Sequence, residues 1–564
     1  NVDVAPVEGN QSEPAIAVDP SNPLRLFAAA NNDDEDSQNP DATGLTAAYS
    51  VDGGLTWVHR KMADGTDGIE PACCDPSAAF DAFGNLFFAY VNADTDAVEV
   101  VLSTDGGKTF APLTEYKGDA DQPTVNTGPG SVWVTFAKDA PVVAVGAAVT
   151  GLGQVAEFGK VAKMPGSGNA NFGDIAVGPD GQVAVTWQKD GGRRGTIGVN
   201  VDPDGLGPLP FNKKAVKAAT TTVRQFYDVP AQSSRGIDAE AALAWDTSSG
   251  PFRGRLYLAY TDDTRAPKHD TDVFLKYSDD NGATWSQPAR VNDDAGTNSQ
   301  FFPRLAVDPT TGRFALSWYD AREDLGDATP PPAGQDPDLP NDEVALYAAW
   351  GEPTASGVVL SANARVSGGT TSADASFNSI DLGDYTGLAL YGGVMHPAWA
   401  DNSESAGTIP GPDGELDVYT ANVALADLPT ATRAFLGGLP ARPVDSAPVV
   451  ALTNKGAPLI AKKAKPFRFV VTATDLDGLD PAGLATAIRV TGPNAFDAAA
   501  TLLKQKTKRG VTTLTYEIAG PTDGLWTNAA NGSYSIDLAA GGVKDAFGNA
   551  TPAGALGTLV VAVK

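Results

Sequence analysis

Cysteine, methionine and histidine are almost missing from this chain of 564 residues, which holds two, three and three of them. The two cysteines, Cys73 and Cys74, are adjacent, so a disulfide framework and a four-cysteine zinc site are both excluded, while a bridge between the neighbours stays open. Long apolar runs are absent too. The longest, such as 141–149, have the length of a strand and fall far short of the roughly 18 residues of a membrane-spanning helix. Positive charge is scarce: 40 Lys plus Arg face 69 Asp plus Glu, and the formal charge of -29 repels phosphate backbones and anionic headgroups. Nucleic acid and membrane insertion are therefore poor expectations. Residue 1 is Asn and no charged-then-apolar leader follows, so the chain reads as the mature form of an exported protein, extracellular or at a cell surface.

What is abundant points to strands and turns. With 61 Gly, 41 Pro and 42% hydrophobic residues, the composition is globular and turn-rich. One short pattern, Ser-x-Asp-x-Gly-x-Thr-aromatic, recurs three times. It runs through Ser50, Asp52, Gly54, Thr56 and Trp57, then Ser103, Asp105, Gly107, Thr109 and Phe110, then Ser278, Asp280, Gly282, Thr284 and Trp285. A degenerate relative lies at 200–207. Ser and Asp side chains bond nearby amides, Gly supplies positive φ and the aromatic covers the turn, so these residues predict tight hairpins and carry no chemistry of their own. Upstream of each pattern an alternating strand, an Asp-Pro or Gly turn and a second strand recur, giving seven units long enough for four short strands each.

These residues resemble the Asp box of the bacterial neuraminidase repeat, which in sialidase-like β-propellers joins the third and fourth strands of a blade. The resemblance covers about three quarters of the chain. It implies an all-β fold, an Asp-box β-propeller over residues 1–427; the unit count predicts seven blades, with the six of sialidases as the alternative. Residues 428–447, with Pro429, Pro440 and Pro443, read as a Pro-rich linker. Residues 448–564 alternate strands and turns and resemble a bacterial immunoglobulin-like β-sandwich.

In such a blade the start of the inner strand lies on the face opposite the Asp box, so ligands are expected there. Alignment of the units places Glu13, Asp75, Asp121, Asp174, Glu240, Arg304 and Asp384 with Tyr385 at a channel mouth. Sialidases hold a carboxylate with three arginines and use a Tyr-Glu pair and an Asp acid. The resemblance makes Tyr385, Glu240 and Asp75 candidates for the last three roles, with Arg304 the one arginine at an inner-strand start. The acidic loops suggest a calcium site at Asp262, Asp263, Asp270 and Asp272, although no EF-hand spacing fixes it.

Charge divides along the chain. Residues 441–564 carry 13 Lys plus Arg against 9 Asp plus Glu, and residues 1–440 carry 27 against 60. Basic residues gather at Lys462, Lys463 and Lys465 and at Lys504, Lys506, Lys508 and Arg509. They suit either protection of an exposed edge strand or contact with an acidic surface. The expectation is a non-enzymatic binding or assembly protein, taking an extracellular glycan or associating with itself head to tail. The alternative is a secreted carbohydrate-active hydrolase or lyase.

Overall fold

The computed structural model describes the chain apart from residues 8, 34–43, 119, 139–140, 192–193, 264–268, 327–339, 377–379, 404–413, 440–447, 454–457, 475–478, 480, 509–510 and 545–549. Arg509 and the end of the expected linker lie outside the described residues. The chain divides into two compact units, Asn1–Arg442 and Pro443–Lys564.

In the first unit, seven sheets of four or more strands are formed among the described residues. Their inner strands are Asn10–Val18, Ala72–Phe80, Ala120–Gly128, Ala170–Val177, Ala242–Trp245, Gln300–Val307 and Gly387–Tyr391. Each adjoins the next in order, and Gly387–Tyr391 adjoins Asn10–Val18, so the sheets close into a ring, the architecture of a β-propeller. The outer edge of the last sheet is supplied by the chain start, where Val2 and Asp3 pair with Thr420 and Tyr419. That pairing ties the first residues to the last blade.

Apolar residues alternate into the spaces between sheets. Phe27, Phe88 and Phe110 meet edge to face or tilted, with centroids 5.5 to 5.8 Å apart. Trp318 and Trp399 on second strands are fully buried, and each donates its ring N–H at 2.8 Å to the aspartate two residues on, Asp320 and Asp401. A buried indole thereby keeps its donor satisfied.

All three boxes lie between third and fourth strands, the first between Leu45–Ser50 and Val58–Met62. Ser50 Oγ donates to Asp52 Oδ1 at 2.8 Å and accepts from the Gly54 amide at 2.9 Å. Asp52 then takes the amides of Leu55 and Thr56 at 3.1 and 3.0 Å and the Thr56 hydroxyl at 2.6 Å. The second box repeats the network, and the third repeats it except that the Ala283 amide turns to the Asp280 carbonyl. At Gly107, with φ +91°, an added Cβ would stand 2.4 Å from Phe27 Cδ2, so glycine is demanded by both conformation and space. The degenerate box keeps a reduced version, Asp202 Oδ1 accepting from the Asp204 and Gly205 amides.

The expected linker at 428–447 is corrected in part. Residues Ala431–Leu436 form a strand that pairs with Gly357–Ser361 on the outside of the sixth sheet. Three prolines hid it, because Pro429 and Pro440 flank the strand and do not interrupt it.

The second unit is two sheets around one core. Val449–Leu452, Phe467–Thr474, Val511–Ile518 and Thr501–Lys508 make one; Leu459–Ala461, Gly554–Val561, Gly532–Leu538, Ile488–Gly492 and Phe496–Ala499 make the other. Phe469, Trp526, Tyr516 and Tyr534 are buried between them. Lys504 and Lys506 are exposed on Thr501–Lys508, an edge strand.

Candidate functional site

Antiparallel order alone separates two faces. The third-to-fourth-strand turn lies where the inner strand ends, so the boxes sit on one face and the inner-strand starts on the other. At those starts Glu13, Asp75, Gln122, Glu240 and Phe302 share a left-handed backbone, φ +40° to +59°, and in the strands of Glu13, Gln122 and Phe302 the register slips at that point. This backbone, adopted in five of the seven sheets, costs about 1–2 kcal/mol per residue.

The bulge also corrects the sequence alignment. Glu13, Asp75 and Glu240 occupy equivalent positions as expected, but the partner of these in the third blade is Gln122, not Asp121, and in the sixth it is Phe302. Arg304 lies two residues further into the channel. Sequence spacing cannot reveal a residue that leaves the ladder.

Two cavities result. The mouth, about 450 Å³, is bounded by Glu13, Asp75, Asp121, Asp384, Arg235 and Phe226, with the sulfur atoms of Cys73 and Cys74, bonded to each other, in its wall. Below it, a channel cavity of about 150 Å³ is lined by Asp174, Glu240, Arg304 and Tyr385, and Gln122 borders both. The four catalytic candidates thus do come close together: Glu240, Arg304 and Tyr385 in the channel and Asp75 just above.

In the mouth, hydrogen bonds run both within and between blades. Asn31 Nδ2 donates to Glu13 Oε2 at 2.7 Å, the Asp384 amide to Glu13 Oε1 at 3.0 Å and the Gln122 amide to Asp75 Oδ2 at 3.1 Å. Arg235 grips Asp384 with two bonds, Nε to Oδ1 at 2.8 Å and Nη2 to Oδ2 at 2.6 Å. Burial, then Asp384 and Asp75, hold the Glu13 carboxyl well above the usual range. Burial and then Asp121 push Asp75 up to about 7. Carboxyl groups crowded in this way disfavour being ionised together.

In the channel, Glu240 is 6% exposed and burial pushes its carboxyl up to about 8, against the opposing pull of Arg304. Arg304 Nη2 lies 3.7 Å from Glu240 Oε2, its Nε donates to the Thr386 carbonyl at 2.6 Å, and its guanidinium lies 5.0 Å from the Tyr385 ring centroid. Burial, followed by Asp75 and Glu13, holds the Tyr385 phenol well above its ordinary value. A phenol so disfavoured as an anion is a poor nucleophile.

Arg235, Phe226 and Gln122 were not among the sequence candidates. Arg235 and Phe226 come from an inserted segment between the fourth and fifth inner strands, whose hairpin pairs Tyr227–Val229 with Gln232–Ile237. Ser234 and Arg235 donate their amides to Asp381 at 2.9 and 2.8 Å, which anchors the hairpin beside the last blade. The extra length of that connection was the available signal.

The residues of the expected calcium set are engaged within the protein. Asp262 accepts from Thr221 and Thr222, Asp263 from the Tyr227 hydroxyl at 2.5 Å, and Asp272 from Arg290 and Asn292. These donors already occupy oxygens of three of the four aspartates, and among the described residues no three Asp, Glu, His or Cys are grouped as a metal ion needs.

Comparison with known proteins agrees with the boxes. A family model described as BNR/Asp-box repeat matches residues 276–287. No curated protein matches. Among solved structures, the chain is similar to the GH93 alpha-L-arabinofuranosidase of Fusarium graminearum in complex with arabinobiose, at 12% identity and a TM-score of 0.38, covering 76% of this chain and 98% of that one. It is also similar to a Hadza microbial sialidase, at 15% and 0.34 over 55% and 63% of the two chains, and to the fucose-specific lectin from Aleuria aurantia, at 12% and 0.34 over 63% and 97%. None of these TM-scores reaches 0.5, and the propeller assignment rests on the ring of sheets and the boxes themselves.

Proposed function

We propose that the protein is an extracellular glycan-binding propeller that holds a saccharide at the mouth without cleaving it. The observation that carries this reading is the combination in one cavity of hydrogen-bonding groups with apolar surface. Glu13, Asp75, Asn31 and Gln122 offer partners for hydroxyls, while Phe226, 51% exposed, and the Cys73–Cys74 sulfurs offer a surface for the C–H faces of a sugar ring. The bridge also supports an oxidising location.

Two features speak against cleavage. Glycoside hydrolysis needs one carboxyl ionised as nucleophile or base, whereas burial and crowding raise Glu13, Asp75 and Glu240 together. Arg235 is taken by Asp384 and Arg304 by Glu240, so both are engaged before any substrate carboxylate arrives, which argues against sialidase chemistry. The test is an oligosaccharide array with a reducing-end assay alongside. Binding lost in Phe226→Ala with no reducing ends released supports the proposal; released reducing ends overturn its non-catalytic half, and an array without binding overturns the whole.

Head-to-tail self-association is a second reading, favoured by the exposed Lys504 and Lys506 on an edge strand and by the charge division along the chain. Light scattering should show association that weakens as salt shortens the Debye length from about 10 Å at 0.1 M to about 3 Å at 1 M. A monomer at low salt and high concentration removes this reading.

A further inference from the structure

The channel cavity gathers more acidic groups than basic ones. Two carboxylates, Glu240 and Asp174, meet one guanidinium, Arg304. Asp174 is satisfied by backbone, Oδ1 accepting from Ile175 at 2.7 Å and Oδ2 from Leu243 at 2.6 Å. Arg304 is held on three sides, by Glu240 Oε2, the Thr386 carbonyl and the Tyr385 ring. Glu240 Oε1 is buried and has no hydrogen-bond partner. A buried carboxylate oxygen left in this state is costly, and a side chain bent into left-handed backbone to reach it adds to the cost.

What would satisfy it is a donor that also carries charge. A hydroxyl supplies the hydrogen bond but no charge to draw the buried Glu240 carboxyl into its ionised form. An ammonium group supplies both, with N–H donors to spare. Gln122 offers a second acceptor: its amide nitrogen is committed to Asp384 at 3.2 Å, which leaves its carbonyl oxygen. Gln122 borders both cavities and so stands between the mouth and Glu240.

We propose that Glu240 is the seat of one primary ammonium group and that the ligand of the mouth is accordingly an amino sugar. The second half rests on the glycan reading given above. The site has no use for a carboxylated sugar, since a second anion would meet Asp174, Glu240, Asp75 and Asp384 together.

Two measurements on the full chain separate the halves. In the first, the melting temperature is followed in methylammonium chloride and in sodium chloride at equal ionic strength. Methylammonium should raise it in the wild type and not in Glu240→Gln, by preferential binding to the folded state; equal curves in the wild type overturn the ammonium seat. In the second, calorimetry compares the glucosamine trisaccharide with its N-acetylated counterpart. The amine should bind roughly tenfold or more tightly, a preference that Glu240→Gln abolishes. Retained binding of the N-acetylated sugar shows that the variant is folded. An amine that binds no better than the acetamide, or a preference that survives Glu240→Gln, overturns the amino-sugar assignment. If neither trisaccharide binds while methylammonium still discriminates wild type from variant, the seat stands and the amino-sugar ligand falls, along with this support for the glycan reading.

Discussion

The box face and the mouth of this propeller use the same carboxyl group in opposite ways. On the box face, Asp52 lies at the surface with its oxygens filled by Thr56, Ser50 and Leu55, and the Thr56 hydroxyl above all holds its carboxyl down at about 2. At the mouth, burial and neighbouring carboxylates push Asp75 up to about 7. The first acid is ionised to stabilise a turn, and the second is kept crowded and partly protonated. Box aspartates are bonded within five residues of their own chain, whereas those of the mouth are bonded across blades and surrounded by like charge. Structural acids have local donors; acids available to a ligand do not.

The largest expected break in this contrast comes from Arg235, the one cation of the mouth among the described residues. Arg235→Ala strands Asp384 beside Glu13 and Asp75; since Arg235 is about one-third exposed, the loss is nearer 2 kcal/mol than the 3–5 of a fully buried pair, read from the denaturant midpoint at pH 7. Arg235→Lys, which keeps the charge but not the two-pronged grip, should recover only part. Full stability in Arg235→Ala would show that the mouth is not electrostatically crowded.

A smaller effect sharpens the comparison through pH. Asp75 is raised from an ordinary 3.8 to about 7, so between those values the folded state binds more proton than the unfolded one. Stability from this group is therefore fullest below 3.8, declines as pH rises toward 7 and levels above it. In Asp75→Asn that share of the decline vanishes, so the variant gains on the wild type between pH 4 and pH 7. Parallel stability curves for the two proteins would place Asp75 outside the coupled set.

How much of this was legible beforehand follows the same division. The boxes were readable because a local hydrogen-bond network imposes fixed spacing, and Ser103, Asp105, Gly107 and Thr109 show the same offsets as Ser50, Asp52, Gly54 and Thr56. The inner-strand acids were half legible. Glu13, Asp75 and Glu240 were placed correctly, while Asp121 and Arg304 were out of step because the bulge removes residues from the ladder without changing the alternation on either side. Arg235 and Asp384 are 149 residues apart, and nothing in either segment announces the other. The strand at Ala431–Leu436 was hidden by flanking prolines that read as a linker.

The smallest effect tests the box face itself. Asp105 is partly buried, which raises its carboxyl, but the Thr109 hydroxyl at 2.7 Å, the Thr109 amide at 3.0 Å, the Ser103 hydroxyl at 2.8 Å and the Lys108 amide at 3.0 Å together bring it below 3.8. Its sign is opposite to that of Asp75: the stabilisation is present above 3.8 and is lost as pH falls through the depressed folded value. Asp105→Ala removes four hydrogen bonds, but most are solvent-exposed, so about 1 kcal/mol is expected at pH 7, with the deficit shrinking in acid. Saccharide binding by the folded fraction should be untouched, because the turn lies at the other end of its blade. A variant that kept its stability but lost binding would reverse the assignment of the two faces.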